Sequence, residues 1–106
     1  MAQHTVTLKG ASGIRYVFDV YPANSNWGDN IACVYYVSKC DDKGFHTPIY
    51  VGETGDLKTR HGDHHKQKCF ENNGYNCISI HRQANEKTRL QIEEDLVKVL
   101  DLPCNH

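Results

Sequence analysis

The sequence predicts a small α+β domain, and three observations carry that expectation. Short runs rich in β-branched and aromatic residues, bounded by Gly, Pro, Asn or Asp, occupy the first half and recur once later, as strands do. A stretch near the C-terminus switches to helical periodicity. The chain has 106 residues, enough for one domain with a single modest core.

Thr5-Val6-Thr7-Leu8 alternates like a half-buried strand, Gly10-Ala11-Ser12-Gly13 reads as a hairpin turn, and residues 16–21 form the return strand. Residues 22–29 are a loop holding the one tryptophan, Trp27, which reads as a packing anchor. Residues 31–38 and 48–52 read as two further strands of an antiparallel hairpin, joined by the polar segment 39–44. Side chains alternate along a strand, so Tyr35 and Tyr36 face opposite sides. Asp56 suits the cap of a helix starting near Leu57, which Gly62 shortens or bends. Residues 77–81 are a fifth short strand. Asn85 caps a last helix that runs to about Leu100 and is stopped by Pro103.

Bulk properties narrow the function. No apolar stretch is long enough to span a membrane, and the N-terminus shows no basic patch followed by an apolar run. Five cysteines (Cys33, Cys40, Cys69, Cys77, Cys104) are an odd number with no paired spacing. Free thiols in a reducing, cytoplasmic setting are therefore expected. A net charge of −1 argues against strong non-specific nucleic-acid binding. The charge is segregated, however. Residues 57–68 hold four cations (Lys58, Arg60, Lys66, Lys68) against one anion (Asp63), a balance of 4 − 1 = +3, with His61, His64 and His65 between them. Such a patch suits phosphate, unless it is simply a solvated helix face.

The last helix carries the sharpest signal. At about 100° per residue, Leu90, Ile92, Leu96, Val97, Val99 and Leu100 share one broad arc. Lys87, Gln91, Glu94, Asp95 and Lys98 lie opposite. Glu93 falls inside the apolar arc, where a carboxylate is costly unless paired or metal-bound. Either it pairs with Arg89, one turn earlier on the same face, or it is a metal ligand at the floor of a cleft. On the preceding helix, Arg60 and His64 share a face, as do His61 and His65. Phenols on two strands, an arginine, a histidine and one inward carboxylate together suit phosphodiester hydrolysis.

At these residues the chain resembles the GIY-YIG nuclease superfamily. Cys33-Val34-Tyr35 stands where the first signature triplet falls and Tyr50-Val51-Gly52 where the second does. Thr54, Arg60, His64, Glu93 and Asn105 follow in the family's order. Cys33 replaces the usual first glycine. The match covers roughly residues 31–106, with residues 1–30 as an N-terminal β-hairpin extension, an arrangement similar to a subgroup of small uncharacterised bacterial proteins.

The resemblance implies a central three-stranded antiparallel sheet flanked by helices. It implies a DNA endonuclease using Mg²⁺ or Mn²⁺ bound by Glu93. Tyr35 would help activate water and Tyr50 would support the site. Arg60 would stabilise the phosphate and His64 would assist proton transfer, while Thr54 and Asn105 would be supporting. Lys58, His61, His65, Lys66 and Lys68 are the expected nucleic-acid contacts. The substrate would be DNA, branched or damaged forms included, and a homodimer or partner protein could complete the enzyme. The alternative is a non-catalytic nucleic-acid or protein-binding module on the same fold. A zinc site from Cys69, Cys77 and His81, or from the histidine cluster, has poor ligand spacing.

Overall fold

A computed structural model describes residues 4–62 and 66–105, the side chains of residues 61 and 62 excepted. In chain order the elements are β1 (His4–Lys9), β2 (Arg15–Pro22), β3 (Cys33–Cys40), β4 (His46–Thr54), α1 (Leu57–Gly62), α2 (Gln67–Asn72), β5 (Cys77–Arg82) and α3 (Glu86–Val97). The strands make one antiparallel sheet in the order β1-β2-β5-β3-β4, curled into a half-barrel.

This corrects the expected three-stranded sheet flanked by helices. The hairpin is not appended beside a smaller sheet; β2 pairs directly with β5, with Asp19 opposite Ile80 and Tyr21 opposite Ile78. A three-stranded sheet would leave the outer edge of β5 with unpaired backbone groups, and β2 takes that edge. The hairpin also fills the core: Leu8, Phe18 and Val20 are buried. The helices are short, six residues each for α1 and α2 and twelve for α3. The helix expected after Leu57, short or bent at Gly62, is the six-residue α1, and α2 follows from Gln67.

Two apolar clusters lie on the two faces of the sheet. One gathers Cys33, Tyr35, Val37, Ile78 and Ile80 with Leu57 of α1 and Phe70 of α2. The other gathers Leu8, Phe18, Val34, Tyr36 and Val51 with Ile92 and Leu96 of α3. Tyr35 and Tyr36 thus face opposite sides, as strand alternation requires. A bulge falls at Ile49, skipped between the pairs Val37↔Tyr50 and Ser38↔Pro48. Pro48 sits without penalty because β4 is an edge strand. The C-terminal tail lies along that edge: the Cys104 N–H donates to Ile49 O at 3.0 Å, and the Asn105 amide both accepts from Val51 N and donates to Val51 O at 3.0 Å.

The α3 face differs from expectation. Ile92 and Leu96 are buried with Arg89, while Leu90, Val97 and Val99 are exposed. Asp95, placed on the solvent side by the helical wheel, instead grips the β1–β2 turn. It accepts from Ser12 N at 2.8 Å, Ser12 Oγ at 2.6 Å and the Tyr16 hydroxyl at 2.8 Å. These bonds hold its carboxyl below the usual carboxylate range. Gly10 lies so close to Asp95 that a Cβ there would collide with the carboxylate.

The thiol expectation is also corrected. Cys40–Cys77 and Cys69–Cys104 are disulfides, and Cys33 is free and buried. Cys40 and Cys77 end and begin neighbouring strands, so pairing arises from register, which sequence spacing does not reveal. The argument from free thiols for a reducing compartment falls away. Among the described residues, no helix is long and apolar enough to cross a membrane.

Candidate active site

Tyr35 of β3 and Tyr50 of β4 come together on one sheet face, their ring centroids 5.9 Å apart. Gly52 makes this approach feasible. It lies opposite Tyr35 in the register, and a Cβ on it would stand 2.6 Å from the Tyr35 hydroxyl and 2.7 Å from Tyr50 Cε2. Real side-chain carbons do not come that close, so only glycine fits between the rings.

The two phenols are not equivalent. Tyr35 is 3 % exposed, and its hydroxyl donates to that of Tyr50. Burial, then the proximity of Tyr50, pushes Tyr35 well above the usual phenol range. Tyr50 is half-buried and lines an open cleft of about 530 Å³ together with Lys66, Glu93 and Asn105. Its phenol is also raised, chiefly by burial, while the bond from Tyr35 opposes the rise. Tyr50 is therefore the phenol facing the cleft, with Tyr35 behind it.

Glu93 projects from α3 into the same cleft. Burial raises its carboxyl above the usual range, the Glu53 carboxylate adds to the rise, and Arg60 opposes it. Arg60, half-buried on α1, is close enough to be felt by Tyr35, Tyr50 and Glu93. It makes no ion pair among the described residues.

The alternative partner for Glu93 is engaged elsewhere. Arg89 is buried and donates through Nε to Glu53 Oε1 at 2.9 Å, and through Nη1 to the carbonyls of Gln83 at 3.1 Å and Ala84 at 2.9 Å. The alternative Arg89–Glu93 pair does not form. Glu93 consequently reaches the cleft with no ion pair among the described residues. Sequence reasoning missed Glu53, although it directly follows the second triplet; its partner lies 36 positions away.

The supporting residues hold this geometry. Thr54 is buried, and its hydroxyl both donates to Asp56 O at 3.2 Å and accepts from Asp56 N at 3.1 Å, closing the turn that launches α1. Asn105 fixes the β4 edge beside Tyr50. The expected nucleic-acid contacts are dispersed. Lys66 lines the cleft, Lys68 is exposed on α2, and Lys58 pairs with Asp29 at 3.2 Å on the surface. His64 and His65 lie outside the described residues, as does the side chain of His61. Cys69 and Cys77 belong to different disulfides, so they do not converge with His81 on a zinc ion.

The donors suit a hard divalent cation. Glu93 offers carboxylate oxygen, Tyr50 a hydroxyl, and the cleft has room for an ion with its water. Among the described residues no three His, Cys, Asp or Glu side chains converge. An ion here would be held by one carboxylate and would keep most of its waters, a habit of Mg²⁺ more than of zinc. Comparison of the chain with protein-family models, curated proteins and solved structures returned no match.

Proposed function

We propose that the protein is a divalent-metal-dependent endonuclease that hydrolyses phosphodiester bonds in DNA, with the residue pattern of GIY-YIG nucleases. One observation carries the reading. A half-buried carboxylate shares an open cleft with Tyr50, within electrostatic reach of Tyr35 and Arg60, while Arg89, one helical turn earlier, is bound by Glu53 instead. Leaving Glu93 unpaired in a partly desolvated cleft costs stability, and costs of that kind concentrate at functional sites.

In this reading Glu93 would hold Mg²⁺ or Mn²⁺, which when bound would supply Lewis-acid stabilisation of the phosphate. The Tyr50 hydroxyl orients the attacking water from the cleft wall. Tyr35 fixes the Tyr50 rotor by donating to it, so it acts as a positioning residue. Arg60 faces the non-bridging phosphate oxygens and offsets the charge that builds as water attacks phosphorus and the bond to the leaving oxygen breaks. Lys66 at the cleft rim attracts the neighbouring phosphate.

The test is cleavage of supercoiled, branched, flapped and single-stranded DNA, and of RNA, with and without Mg²⁺ or Mn²⁺. Glu93→Ala and Arg60→Ala are expected to lose at least about a hundredfold in rate while circular dichroism remains that of the parent. Cleavage retained by either folded variant would sink the site assignment. A folded parent that binds but cuts none of these substrates would favour the non-catalytic binding module.

A further inference from the structure

The loop between β2 and β3 builds a second site. It is anchored at both ends: the Ala23 N–H donates to Asn76 O at 2.9 Å, and Ile31 O accepts from the Leu57 N–H at 3.0 Å. Between these anchors Trp27 packs edge-on against Tyr21, ring centroids 5.2 Å apart at 75°. The two rings wall a cavity of about 420 Å³, whose lining includes Ile80, Arg82, Asn24 and Asn26.

Four properties define what fits there. The aromatic walls offer a stacking surface. The exposed Asn24 and Asn26 amides make no hydrogen bond among the described residues, so donors and acceptors are free for a planar polar edge. Arg82 is exposed, forms no ion pair among the described residues and also lines the adjoining cavity. Among the described residues no carboxylate lines the cavity, whereas a sugar site would normally present one to the hydroxyls. A flat base with an adjoining phosphate meets all four conditions. A duplex does not, because its bases are stacked and their faces hidden.

Position links this cavity to the cleft. Ile80 pairs directly with Tyr35 in the β3–β5 register, so the cavity lies one strand from the site tyrosines on the same face. Lys58–Asp29 ties the loop to α1, which carries Arg60. We infer that the Trp27 cavity receives one unstacked nucleobase of a single-stranded segment, with Arg82 on the adjoining phosphate, and so positions the strand to be cut. The inference rests on nucleic acid being the substrate. It adds that the substrate has an unpaired stretch beside the scissile bond.

Trp27 is the chain's one tryptophan, so its emission reports on this cavity alone. The experiment titrates the full chain, in chelator to stop cleavage, with short fluorescein-free oligo-dT and oligo-dA, an abasic oligomer of equal length, and a linear oligosaccharide. Anisotropy of labelled oligomers is followed in parallel. The expected result is quenching by both base-bearing oligomers and none by the abasic one. Arg82→Gln, at an exposed position, should weaken binding about tenfold without changing the unfolding midpoint. Oligomer binding that leaves Trp27 emission unchanged would overturn the cavity assignment, as would equal quenching by the abasic oligomer or quenching by the oligosaccharide alone. Absence of any binding also overturns it. Metal-dependent cleavage without quenching would reject the cavity and leave the nuclease reading intact. Quenching by a chain that never cuts would do the reverse.

Discussion

The engagement of Arg89 by Glu53 can be measured directly. The perturbations are Arg89→Met, which keeps most of the aliphatic volume, Glu53→Gln, the double variant, and a second cycle of Arg89→Met with Glu93→Gln. The side chains of Arg89 and Glu53 are 6 % and 19 % exposed. Removing the guanidinium strands one part-buried carboxylate and two carbonyl acceptors. Breaking such a pair from one side costs about 3–5 kcal/mol, which for a domain of this size lowers the melting temperature by about 12–20 °C. Glu53→Gln keeps an acceptor oxygen and loses only charge assistance, so about 1–2 kcal/mol is expected. Coupling between Arg89 and Glu53 should then be about 2 kcal/mol, and coupling between Arg89 and Glu93 below about 0.5 kcal/mol. Urea denaturation gives all the required values. If the Arg89–Glu93 coupling equalled or exceeded the Arg89–Glu53 coupling, Glu93 would be a structural counter-ion and the functional argument would fail.

Other outcomes follow from the same geometry. Gly52→Ala forces a carbon between the two tyrosine rings and should destabilise the fold by about 1–3 kcal/mol, seen in the urea midpoint and in the near-ultraviolet tyrosine signal; an unchanged signal would contradict the ring placement. Glu93 has a raised carboxyl pKa, first from burial and then from Glu53, so the folded state binds its proton more tightly than the unfolded chain does. Its contribution is fully present below the unfolded value and is lost as pH rises through the folded one. Glu93→Gln should therefore raise the melting temperature at pH 7 and give no gain at about pH 3; a gain only at low pH would reverse the argument. Removing Cys69–Cys104 by Cys69→Ser and Cys104→Ser opens a link between positions 35 apart. That should cost up to about 4 kcal/mol, read as a lowered urea midpoint relative to the oxidised parent.

Local chemistry made much of this molecule legible. The strand runs, the β3–β4 hairpin and the cap of α3 were readable because each depends on neighbouring residues; the Thr88 N–H donates to Asn85 Oδ1 at 3.0 Å. The grouping of Tyr35, Tyr50, Arg60 and Glu93 was an expectation from the family resemblance; the fold packs Tyr35 against Tyr50 and sets Tyr50 and Glu93 in one cleft. What failed to show was long-range. The β2–β5 pairing joins segments about sixty residues apart, and no local pattern distinguishes a free hairpin from one that extends a sheet. The Cys40–Cys77 pair depends on the β3–β5 register, and Cys69–Cys104 on how α2 meets the C-terminal tail. Arg89 was read against its helical neighbour Glu93, but the Glu53 carboxylate on β4 and the carbonyls of Gln83 and Ala84 take its guanidinium. Asp95 looked solvent-facing because the wheel does not know that a turn folds over it.

The grip on Asp95 bears on the aim of Glu93. The two residues are two positions apart on α3 and project from nearly opposite sides. The hairpin turn holds one side through Asp95, and the Arg89–Glu53 pair ties the helix to β4. Such a helix is pinned against rolling about its own axis. A side-chain tip on a helix sits about 5–6 Å from the axis, so a roll of ten degrees would swing it by about 1 Å. A misplacement of that size can cost about a hundredfold in rate. Residues 4–16 thus act as a torsional brake on Glu93, and trimming them would detune the cleft while leaving every residue in it unchanged.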